Sequence, residues 1–101
     1  MAENLNQHIF KRLQNGDEKA LNELFDLYYS ALYLFANKYL QDMDLARSLV
    51  QQVFIDLWTK RERITVSTSV KSYLYTTVKN RCIDVLRKTK ATSEISESVE
   101  N

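Results

Sequence analysis

No proline interrupts these 101 residues, and a single glycine, Gly16, does. A chain this poor in backbone breakers is ill suited to the turns of a sandwich or barrel and suits a few long helices. The apolar positions agree. Leu5, Ile9 and Leu13 repeat at helical spacing with Phe10 beside them. Asn15 and Gly16 then stop this helix, glycine supplying the left-handed turn at its end. Asp17 is placed to cap the next helix, whose apolar positions are Ala20, Leu21, Leu24, Phe25, Tyr28, Leu32, Phe35, Ala36, Tyr39 and Leu40. They keep the i, i+3, i+4 rule for roughly five turns. Gln41 to Asp44 break it, and Asp42 or Asp44 caps a third helix carrying Ala46, Leu49, Val50, Val53, Phe54, Leu57 and Trp58.

Between positions 59 and 69 the periodicity fails. Ile64, Thr65 and Val66, with the hydroxyl residues that follow, form a poor helix and read as a structured loop. Ser67 or Ser69 caps a fourth helix running to about Lys88. Val70, Leu74, Val78, Cys82, Val85 and Leu86 make its inward stripe, while Ser72, Thr76, Lys79, Asn80, Ile83, Arg87 and Lys90 fall opposite. The expected fold is an all-α compact bundle of about four helices over residues 1–90. Residues 91–101 read as an acidic linker or disordered tail.

The near-neutral total charge hides a marked asymmetry. Residues 60–90 carry nine Lys/Arg and two acids, net +7, whereas residues 1–59 and 91–101 are each net −3. Lys79, Arg87 and Lys90 lie on one helical face. Asn80 can read a base edge, and Tyr73 and Tyr75 can stack on an unpaired base or belong to the core. A cationic segment with aromatic and amide side chains is a candidate nucleic-acid surface. Trp58 closes the third helix's stripe as a core residue or an interface anchor. Catalytic chemistry has little support. There is no Gly-rich phosphate loop and no Ser/His/Asp set, His8 stands alone, and no cofactor or metal is expected. Cys82, the one cysteine, excludes an internal disulfide and fits a reducing cytoplasm. No apolar run approaches the ~20 residues needed to cross a bilayer, so no membrane insertion is expected.

Two segments taken together resemble a known family: ARSLVQQVFIDLW at residues 46–58 and SYLYTTVKNRCIDVLRK at residues 72–88. With FDLYY at 25–29 and FANKYL at 35–40, they are similar to region 2 of the extracytoplasmic-function (ECF) sigma factors of bacterial RNA polymerase. The resemblance implies an alternative sigma factor domain that binds core RNA polymerase and recognises and melts the −10 promoter element. Gln51, Gln52, Ile55, Asp56, Leu57 and Trp58 then become contacts, or supports of contacts, with the clamp helices of the polymerase β′ subunit. Arg63, Lys71, Ser72, Tyr73, Tyr75, Lys79, Asn80 and Arg87 become candidates for the non-template strand of promoter DNA. An anti-sigma factor is a further implied partner; the family normally carries a second domain that reads the −35 element, and that domain is absent from this chain. Where the family usually carries acids in its docking segment, this chain has Ser48 and Gln52, so docking is expected either to be weaker or to shift onto Asp44 and Asp56. The alternative is a helical protein-interaction module whose basic face meets a regulatory partner. A helix-turn-helix duplex binder ranks lower, because about ten residues separate the third and fourth helices where that motif has a turn of about 3–4.

Overall fold

The computed structural model describes the backbone of residues 2–100 apart from Ser67, and the side chains of residues 5–89 with the same exception. It contains four helices: α1 (Ala2–Gln14), α2 (Glu18–Leu40), α3 (Met43–Thr59) and α4 (Val70–Glu100). No strand occurs among the described residues, and the all-α expectation holds.

Local chemistry sets the boundaries. Gly16 sits at φ +94°, a left-handed conformation that side chains disfavour, and turns the chain out of α1. Asp17 caps α2 by accepting from the Lys19 amide at 3.0 Å. Arg12 ties this corner together, reaching Asp17 at 2.9 Å and Glu23 at 2.8 Å. At the next corner Gln41 adopts φ 51°, a left-handed cap without glycine, and its amide donates to Asn37 at 2.8 Å. Of the two candidate caps for α3 it is Asp42 that serves, accepting from the Leu45 amide at 3.0 Å.

α2 is the central element, packing against each of the other three helices. The core is built from Ile9, Phe10 and Leu13 of α1, Leu24 and Leu32 of α2, Val50, Phe54 and Leu57 of α3, and Val70, Leu74, Val78 and Cys82 of α4. Phe25 of α2 meets Phe54 of α3 edge-on at 5.1 Å, and Phe35 meets Tyr75 of α4 at 4.9 Å. Asn6, the buried polar residue of α1, donates to the Tyr28 hydroxyl. Burial pushes the Cys82 thiol above its ordinary pKa, which keeps it protonated in the core.

Two apolar assignments are corrected. Leu5 is 57% exposed because Asn6, bonded to Tyr28, takes the inward position at that level, and Leu86 is 40% exposed because the inward row drifts to Val85 at that level. The sequence expectation ended the fourth helix near Lys88, but the backbone of α4 stays helical to Glu100. Residues 89–100 contain neither glycine nor proline to end it. No helix among the described residues is long and apolar enough to cross a membrane.

Candidate nucleic-acid interface

The outer face of α4 follows from its inner one. Val70, Leu74, Val78 and Cys82, each four residues apart and each at most 1% exposed, fix the rotation of the helix. Lys71, Ser72, Lys79, Asn80 and Arg87 are consequently directed outward, and all five are exposed. Ser69 caps this helix, its hydroxyl accepting from the Ser72 amide at 3.0 Å. The Ser72 hydroxyl is engaged with the same oxygen at 2.9 Å. Tyr73 and Tyr75 are half-buried against the core, Tyr75 held edge-on by Phe35. Each therefore presents part of its ring at the border of the cationic face. Arg63 is exposed on the loop before α4.

Not every cation of the basic segment belongs to this face. Arg81 turns toward α3 and pairs with Asp56 at 2.5 Å. Lys88 lies 3.3 Å from Asp84 one turn earlier. Among the described residues Lys71, Lys79 and Arg87 are outward on α4, with Asn80 beside Lys79; Lys88 is exposed as well, and Lys90 lies outside the described side chains. The spacing of eight residues puts Lys71, Lys79 and Arg87 about 12 Å apart along the axis and turns each about 80° from the last, so they wind along the exposed side of the helix.

The loop between α3 and α4 is braced from two sides. Gln14, the last residue of α1, donates through Nε2 to the carbonyls of Arg61 at 3.1 Å and Ile64 at 2.9 Å. Arg61 lays its guanidinium over the Trp58 ring, 4.1 Å from the centroid, and donates to the Trp58 carbonyl at 2.8 Å. Its Nε is buried without a hydrogen-bond partner. Between α1 and the loop lies a cleft of about 350 Å³, walled by Phe10, Lys11 and Gln14 on one side and Ile64, Thr65 and Val66 on the other.

α3 presents a second candidate surface. Gln51, Gln52 and Ile55 are exposed, Ile55 by 55%. Leu57 is 2% exposed and acts only as a support. Trp58 is half-buried and lines an apolar groove of about 370 Å³ with Leu21, Phe25, Phe54 and Ile55. Asp44 lies 3.4 Å from Arg47, and Asp56 is taken by Arg81 and by Gln52 at 3.0 Å. Both acids onto which docking was expected to shift thus have partners within the chain. Ser48 and Gln52 are exposed and uncharged, so this face offers amides and apolar surface more than free negative charge.

The hydrogen bond from Arg81, helped by that from Gln52 and opposed by partial burial, holds the Asp56 carboxyl below its ordinary pKa of 3.8. A depressed carboxylate stabilises the fold above the unfolded pKa, and the contribution is lost as pH falls through the folded value. Asp56→Asn is accordingly expected to be less stable than wild type at neutral pH. The difference should shrink below the ordinary carboxylate range. Parallel urea titrations at neutral and acid pH measure it, and a gap that widens in acid would refute the pairing.

Residues 24–92 match the family model for sigma-70 region 2. The chain belongs to the sigma-70 region 2 family. Among curated relatives it is similar to the ECF RNA polymerase sigma factor SigW of Bacillus subtilis (strain 168), with 25% identity over 80 residues. That alignment covers 79% of this chain and 43% of the relative, so the chain spans less than half the relative's length. No solved structure matches it. The resemblance read from residues 25–88 is therefore confirmed.

The sigma-70 region 2 match takes in most of α2, all of α3 and the loop, and α4 as far as position 92, with every residue singled out from the sequence as a DNA or polymerase candidate. It leaves out α1, and with it Gln14. Three residues that shape these surfaces were absent from the sequence-based candidates: Gln14, Arg61 and Arg81. The basic composition flagged Arg61 and Arg81 as cations but not as internal struts. Gln14 carried no sequence signal at all.

Proposed function

We propose that this chain is the polymerase-binding and promoter-melting domain of an alternative sigma factor of the ECF group. The observation that carries the reading is the set of outward residues Lys71, Lys79, Asn80 and Arg87, placed directly after a braced loop in a sigma-70 region 2 chain. Cations that wind along the exposed side of a helix can follow a phosphate backbone, and an asparagine among them can read a base edge. The loop before α4, with Arg63 exposed on it, receives an unstacked base of the non-template −10 strand. Tyr73 and Tyr75 border the same strand.

Melting needs a surface that favours single strand over duplex. Extruding a base costs a few kcal/mol. Stacking at about 1–3 kcal/mol per base, together with phosphate contacts, offsets that cost. No bond is made or broken, so the site requires no catalytic group.

The outer side of α3 docks on the β′ clamp helices. With Asp56 held by Arg81 and Gln52, Gln51, Ile55 and Trp58 dominate that contact, and Asp44, 93% exposed, adds the available acid. An anti-sigma factor occupying the same surfaces is the natural regulator. Affinity capture from a bacterial lysate tests the reading. Core polymerase should be recovered by wild type and lost or strongly reduced with Ile55→Ala and Gln51→Ala, exposed positions whose truncation removes no core packing. Capture of polymerase unchanged by either substitution, or of another protein with no polymerase, would count against it.

A further inference from the structure

We propose that Gln14 is a positioning residue for the base-receiving loop, so that α1 is a working part of the promoter-binding apparatus. The inference rests on the function proposed above.

Ile64 and Val66 pack part of the loop against the core, but its backbone has little of its own to hold it. Among the described residues of 64–68, no backbone–backbone hydrogen bond is made, so these residues have no ladder or turn of their own. Gln14 supplies the missing constraint. Its single amide nitrogen carries two hydrogens and uses both, one on the Arg61 carbonyl and one on the Ile64 carbonyl. The two acceptors stand three residues apart, so one side chain staples both ends of the turn that opens the loop. For Ile64 this is the only partner its carbonyl has among the described residues.

The staple is anchored on something rigid. Gln14 follows Leu13, which is fully buried, and precedes the corner locked by Gly16 and by the Arg12–Asp17 pair. From the other side, Arg61 is fixed to Trp58 of α3 by stacking and by a 2.8 Å hydrogen bond. The loop is thus suspended between α1 and α3 before it reaches α4. Without the Gln14 donors it can sample other shapes. Apparent affinity for a base then falls by the fraction of time the receptive shape is lost. The phosphate row on α4 is held by its own buried stripe and does not depend on Gln14.

Single-strand and duplex binding should therefore separate. The probe is a single-stranded oligonucleotide selected from a random pool by the wild-type chain with bacterial core polymerase, compared with its duplex form. Gln14→Leu, of similar size but with no donor, should weaken single-strand binding roughly fivefold to tenfold, the scale of one or two ordinary hydrogen bonds. Duplex binding should change by less than about twofold, since the α4 cations are untouched. Gln14→Glu, which keeps the polarity and loses both donors, should do the same and serves if the leucine variant does not fold. Amide exchange should quicken in the loop and not in α4. Asn80→Ala is the reference arm. If it abolishes single-strand preference while both Gln14 variants bind like wild type, this inference fails and the proposed function stands. If wild type itself shows no preference, the proposed function fails and takes the inference with it. Equal loss of single-strand and duplex binding, with faster exchange throughout the chain, would make Gln14 merely structural and overturn the proposal.

Discussion

Leu74→Ala is expected to destabilise the domain more than any surface change at the candidate sites. Leu74 is fully buried in the middle of the α4 stripe, where the helix meets α2 and α3. Large-to-small changes at such sites cost roughly 2–5 kcal/mol, the spread reflecting how far the cavity collapses. In a domain of this size that lowers the thermal midpoint by about 10–20 °C or more. The same stripe aims Lys71, Lys79 and Arg87 outward, so nucleic-acid binding should be lost in step with unfolding. Lys79→Ala is the complementary case. It is exposed and has no packing role, so stability should stay within about 0.5 kcal/mol while DNA binding weakens. Thermal unfolding followed by circular dichroism, with DNA titrations on the same samples, separates the two effects. A Leu74→Ala variant as stable as wild type would mean that the stripe is not the core.

Binding to single-stranded DNA should fall steeply with salt. If Arg63, Lys71, Lys79 and Arg87 each neutralise one phosphate, the affinity scales with salt to the power of about −2.8, a loss of roughly 50-fold between 50 and 200 mM. Removing one of the four should lower that exponent by about 0.7. Capture of core polymerase through α3 should respond much less, because the exposed side chains there are mostly amides and apolar groups, with Asp56 paired to Arg81 and the opposite charges of Asp44 and Arg47 side by side. Fluorescence titrations across a salt series check both. Equal salt dependence of the two partners would contradict the division between a cationic α4 face and a largely neutral α3 face.

Much of this architecture is legible in the sequence because helices advertise themselves every three or four residues. The interior of α2, the stripe of α3 and the run from Val70 to Cys82 are read directly from that period. Gly16 and Asp17 mark a boundary by residue type, since each has a conformation or a hydrogen bond to offer there. Gln41 does not, and its left-handed cap is imposed by the Asn37 carbonyl and the need to start α3. The apolar row of the fourth helix ends near Lys88, yet helical backbone persists to Glu100 in the absence of a breaker. The site divides in the same way. Lys79, Asn80 and Arg87 are outward because Val78 and Cys82 are inward, a purely local deduction. The Gln14–Ile64 and Arg81–Asp56 pairs join residues 50 and 25 positions apart. No period or motif signals such a meeting; it exists only once α1 and α4 have packed. Arg81 therefore counted toward the cationic surface in the sequence, whereas folded it braces α3.

The central claim is that the loop and outer face of α4 prefer an opened −10 strand to a closed one. The most direct measurement titrates the chain, bound to core polymerase, with a −10 non-template single strand and with the same sequence as duplex. The single strand should bind tighter by roughly tenfold or more, because the duplex must first be unpaired at a cost of a few kcal/mol. That preference should disappear in Asn80→Ala. Equal affinity for both forms, or a preference that survives Asn80→Ala and Lys79→Ala together, would contradict it.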